Sequence, residues 1–129
     1  MKPIFKIVVA LIGLFILING VMFMFNPEFG MNLSHLSASN TFGISTVRAI
    51  IGGSMLATGL LTLLAIVTSK SDLLHSAVVI LLAWTLGRVI SLFADGFDKE
   101  VFIGGILISL LMAVLLTISH KVLSKEVSN

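Results

Sequence analysis

The chain contains no cysteine. That excludes disulfides, thiolate metal sites and cysteine nucleophiles, and it leaves the redox compartment unread. Charge is nearly as scarce: 11% of the 129 residues are charged and 57% are hydrophobic. A soluble domain carries about 25% charged and about 45–50% apolar residues. Charge has been removed here, not rebalanced, and mean hydropathy is +1.16. Water is therefore not the solvent of most of this surface. The net charge of +2 is too small, and the basic residues too scattered, for a nucleic-acid partner. No phosphate loop, cofactor fingerprint or nucleophile motif occurs. We therefore expect no catalytic residue and no cofactor, and place a non-enzyme ahead of an enzyme acting on a lipid, for which only Asp95, Glu28 and Glu100 could serve as acid or base.

What is present is apolar length. A helix needs about 20 mainly apolar residues to cross about 30 Å of hydrocarbon. Four stretches qualify, roughly 4–25, 47–67, 73–93 and 101–118. None alternates in polarity, which excludes a barrel. A backbone facing lipid must satisfy its own hydrogen bonds, so the four are helices. The short loops make consecutive helices antiparallel neighbours. The expected fold is all-α, one domain over 1–129, an antiparallel bundle of four transmembrane helices in the lipid bilayer. The first run is longer than a signal core and lacks a small-x-small cleavage site, so it reads as uncleaved.

Lysine and arginine in the loops set the orientation. One side holds Lys2, Lys6, Lys70, Lys121 and Lys125; the loops of the other hold only Lys99, with Glu28, Asp95, Asp98 and Glu100. Both termini are expected on the cytoplasmic side. The longest outer loop, roughly 26–46, is either a polar connector or a short interfacial segment covering the outer mouth. Ile51-Gly52-Gly53 and Ile103-Gly104-Gly105 open the second and fourth helices alike. With no counterpart of the third helix's arginine in the first, they read as two leucine-rich helices more than a repeat.

One polar constellation stands out. Arg88 falls about six residues inside the outer end of the third helix, roughly 9 Å deep. A charge there is costly, at least about 2–3 kcal/mol near a helix centre, and usually faces the bundle interior with a partner. Trp84, Arg88, Ser91 and Asp95 share one helical stripe. Arg88 is expected to reach outward to Ser91 and Asp95, and Trp84 to pack over it. Arg48 sits at the outer end of the second helix, above Gly52, Met55, Gly59 and Thr62. Those glycines leave room for a neighbouring helix or a ligand. Ala49, Gly53 and Ala57 form a parallel stripe suited to close helix contact. Ser45 is placed to cap this helix. Asn19 lies at a matching depth in the first helix.

Together Asn19, Arg48, Gly52, Trp84, Arg88, Ser91 and Asp95 make a candidate site. Two arginines and a helix N-terminus suit a carboxylate, a phosphate or a lipid headgroup. The same arginines with Asp95 also suit a buried ion network that fixes helix register, and both readings stay open. No metal site is expected: His75 and His120 can meet at the cytoplasmic ends, but no third ligand accompanies them. The six methionines are scattered as core filling.

Arg48-Ala49-Ile50-Ile51-Gly52-Gly53 and Gly87-Arg88-Val89-Ile90-Ser91-Leu92-Phe93-Ala94-Asp95-Gly96 resemble the two signatures of the bacterial domain-of-unknown-function family 4345. There, Arg-Ala-x-x-Gly-Gly opens the second helix and Gly-Arg-x-x-Ser-x-x-x-Asp-Gly closes the third. The resemblance spans nearly the whole chain. It implies a multi-pass protein of the bacterial inner membrane and brings no activity. Ile51 stands where the family often has tyrosine, and removes that hydroxyl.

The function expected is binding, with transport as its extension, of a small anionic or amphipathic molecule or lipid headgroup in an outer-leaflet pocket. The alternative is a structural or accessory subunit packing against another membrane protein or a second copy.

Overall fold

A computed structural model describes residues 2–129, helical almost throughout, with no strand among them. The helices are α1 (Pro3–Phe25), short α2 (Pro27–Leu33), α3 (Thr41–Thr68), α4 (Ser71–Ala94) and α5 (Val101–Ser128). All but α2 are long and apolar enough to cross a membrane.

The ends of these helices follow from their capping residues. Pro3 and Pro27 sit at first helical positions, where a missing N–H costs nothing. Pro27 also disfavours helical backbone at Asn26, so α1 breaks there and Asn26 caps α2, accepting from the Phe29 N–H at 3.3 Å. Part of the long loop is therefore helical. Asn40, in extended backbone, caps α3 by accepting from the Gly43 N–H at 2.8 Å. This cap starts α3 at Thr41, before the expected residue 47, and leaves Ser45 inside the helix, so Ser45 does not cap. Ser69, at φ 54°, ends α3 in a tight turn. Asp98 Oδ1 accepts from the Glu100 and Val101 N–H groups at 2.7 and 3.1 Å. The Phe97 and Phe102 rings, 5.9 Å apart, flank that cap as a hydrophobic staple. Helix α5 continues past residue 118 to Ser128 because loss of hydropathy ends a membrane run, not a helix; Leu123 stays buried.

Helix α1 lies along α3 by glycine. Built-out side chains show the pairing: Gly13 faces Thr62 and Leu63, Gly20 faces Met55 and Leu56, Gly59 faces Leu17, and Gly52 faces Met24. In three of these four pairings the obstacle is backbone, the close approach that small residues allow in membranes. Helix α4 packs on α3 and on α5, and α5 touches α1 lightly, closing the ring. Val9, Ile12, Ile16, Ala65, Leu74, Leu81, Ala113 and Leu116 are among the core residues, drawn from the earlier parts of α1 and α4 and the later parts of α3 and α5. Away from that core α1 packs on Val47–Gly52 of α3, and α4 on Val101–Leu107 of α5; among the described residues no contact of similar weight joins the two pairs there.

Both of those segments are π-helical. A π turn widens the helix by one residue and commonly marks a functional position. The buried hydroxyls of Thr58, Thr62, Thr85, Ser109 and Ser119 all bond carbonyls one turn back.

Candidate functional site

The two arginines lie at the same end of the bundle, each against a different helix pair. Arg48 stands in the π turn of α3. Its Nη1 donates to the Met24 carbonyl at 2.8 Å. The last carbonyls of α1 have no partner within that helix, and the helix end carries partial negative charge. Arg48 thus caps α1. Gly52, one turn on, lets the backbone of α1 close in: a Cβ there would meet Met24 N at 3.0 Å. Helix α1 takes the room left by Gly52 and Gly59. The stripe of Ala49, Gly53 and Ala57 faces outward instead, with nothing within 4 Å of a Cβ at Gly53.

Arg88 lies across the π turn of α5. A Cβ on Gly105 would stand 2.6 Å from Arg88 Cδ and 2.7 Å from Nη1. Only glycine lets the guanidinium rest on that helix. Beneath it, Thr85 Oγ1 and Ser109 Oγ are 2.7 Å apart, a buried polar bridge between α4 and α5. Arg88 makes no hydrogen bond or ion pair with any described residue. Its five donors are free, and the residue is exposed where an interior position with a partner was expected.

Asp95 does not reach Arg88; it accepts from Ser91 Oγ at 2.7 Å. The reason is direction. Side chains on a helix lean towards its N-terminus, so Asp95 leans back onto Ser91 while Arg88 leans away from Asp95. Asn19 Nδ2 donates to the Phe15 carbonyl in its own helix at 2.7 Å. Trp84 is half-buried against the core cluster. Of the expected constellation, only Ser91 and Asp95 are bonded to each other. Gly105, read only as part of a helix-opening motif, and Thr85 and Ser109 were not among the expected site residues. Their signal was the second Ile-Gly-Gly and two hydroxyl residues on facing helices.

Other polar groups are peripheral. His75 and His120 do meet, with ring centroids 5.7 Å apart, and His120 Nδ1 donates to the Ser71 carbonyl at 2.8 Å. His35 and Glu100, both highly exposed, approach to 3.9 Å across the loops at the arginine end. No three acidic or histidine side chains among the described residues converge as a metal site would need.

With the arginines placed, their motifs are informative. The family model described as Domain of unknown function (DUF4345) matches residues 4–120. The chain belongs to the DUF4345 family. The match takes in both arginine motifs and most of every long helix, in agreement with the resemblance read from those motifs. No curated protein and no solved structure matches the chain. DUF4345 carries no activity in its description, so function rests on the geometry of the site.

Proposed function

We propose that this DUF4345 protein is a multi-pass protein of the bacterial inner membrane that binds a small anionic or amphipathic molecule, or a lipid headgroup, at Arg88. The observation that carries the reading is a guanidinium well inside a spanning helix with no protein counter-charge. Bringing an arginine to that depth costs free energy that a partner must offset, and a carboxylate or phosphate supplies two hydrogen bonds in the fork geometry of guanidinium. The site stands on the outer side, with antiparallel helices and both termini in the cytoplasm. Supporting this are the lysines at the terminal end and the descending partners of α1 along α3, from Leu63 opposite Gly13 to Gly52 opposite Met24. The role is binding, with no chemistry on the ligand.

The test is native mass spectrometry of the purified protein in mild detergent with dodecyl phosphate. Wild type retains one adduct, and Arg88→Met lowers its occupancy about tenfold, as expected for loss of a charge-assisted hydrogen bond of about 1.5–3 kcal/mol. An undiminished adduct in Arg88→Met refutes the proposal.

A second reading is an accessory subunit. It is favoured by Gly53, Gly87 and Gly104, where a Cβ would meet nothing within 4 Å, leaving flat faces for another helix. Crosslinking in intact membranes tests it: a strictly monomeric, partnerless chain rules it out.

A further inference from the structure

The seam between α4 and α5 carries a groove on its outward side, whose lining begins six residues before Arg88 on α4. Val78, Leu82, Leu110, Ala113, Val114 and Thr117 line most of it, around a volume of ≈ 180 Å³. The walls are apolar, and the groove opens outward, where lipid would lie. Both walls continue as helical stripes towards the terminal end. On α4 the stripe runs Leu82, Val78, His75; on α5 it runs Leu110, Val114, Thr117, Lys121. The apolar floor thus ends at His75 and Lys121, both exposed. His120 stands beside His75, its ring held by the Ser71 carbonyl. Lys70 and Lys125 add positive charge at this end, against the carboxylates of Asp72 and Glu126.

We infer that this groove is a second lipid site that takes an anionic phospholipid, with an acyl chain between α4 and α5 and the phosphate at Lys121 and His75. Basic residues at the membrane surface beside an interhelical groove are the arrangement that selects anionic headgroups. The inference does not depend on Arg88.

The full-length protein in mild detergent is mixed with phosphatidylglycerol or phosphatidylcholine of matched chains, and retained lipid is read by native mass spectrometry. Wild type retains phosphatidylglycerol about fivefold over phosphatidylcholine, the effect of one basic residue at an anionic surface. Lys121→Gln with His75→Gln removes the preference. Val114→Trp places a large side chain in the groove from a position 53% exposed, so folding is spared, and retention of both lipids falls severalfold. The series is repeated in an Arg88→Met background, which removes any headgroup held at Arg88 and leaves the preference of the groove in place, so the two sites are read separately. Equal retention of the two lipids by wild type overturns the proposal, as does undiminished retention by Val114→Trp. A lipid-free dimer also overturns it, the groove then being covered by a second copy.

Discussion

Replacing Gly59 by alanine probes the contact that holds α1 to α3. The new Cβ would stand 2.6 Å from Leu17 N and 2.7 Å from Leu17 Cα, where carbon contacts rest at about 3.5–4.0 Å. The obstacle is backbone and cannot rotate away, so α1 must retreat by roughly 1 Å. Overpacking of this kind costs about 1–3 kcal/mol. The same retreat stretches the Arg48–Met24 hydrogen bond from 2.8 Å towards the limit of hydrogen bonding. That bond is solvent-exposed in the protein alone, so its loss adds at most about 1 kcal/mol. The expected destabilisation is about 1–4 kcal/mol. Gly53→Ala is the control on the same helix: nothing lies within 4 Å of its Cβ, and alanine gains about 0.5–1 kcal/mol of helix propensity. Unfolding in mixed micelles by sodium dodecyl sulfate, followed by emission of Trp84, the single tryptophan, measures both. If the two variants unfold within about 0.5 kcal/mol of each other, the glycine contact does not hold α1 and the reasoning fails.

Three smaller perturbations separate the other elements. Gly105→Ala displaces the Arg88 guanidinium, a flexible group, so stability changes by less than about 1.5 kcal/mol while dodecyl phosphate occupancy falls severalfold; Gly104→Ala, with open space at its Cβ, leaves occupancy unchanged in the same titration. Thr85→Val costs about 0.6 kcal/mol, the average for hydrogen bonds between membrane helices, because Ser109 keeps its bond to the Gly105 carbonyl; denaturation in mixed micelles checks it. Asp98→Ala removes the cap of α5 and costs about 1 kcal/mol, with faster hydrogen exchange confined to the Glu100 and Val101 amides.

The four helices long and apolar enough to cross a membrane were legible because bilayer thickness sets a length that hydropathy reports directly. Their ends were not, because a cap is one side chain in one backbone geometry. Asn40 and Asp98 carry no hydropathy signal, and α5 runs on through polar turns where hydropathy stops. The seam of α1 with α3 was half legible. Two small-residue stripes lie side by side on α3, and composition cannot rank them. What selects Gly52 and Gly59 is the partner: Gly13 and Gly20 on α1 repeat the same spacing of two turns, so the backbones interlock in one register.

The arginines show why residue type alone underdetermines a site. Both were recognised as charges in an apolar helix, and opposite charge predicted a link from Arg88 to Asp95. Helix direction overrides charge there, since seven residues of outward separation run against the lean of an arginine side chain. Arg48 has a partner one helix away, in a carbonyl that exists only because α1 ends at that level. Its charge is therefore accounted for by the fold. Arg88, in a π turn's lee with a glycine beneath it, is not. Two arginines of the same type at the same end thus divide by geometry, one into a strut and one into the group from which a ligand should be sought.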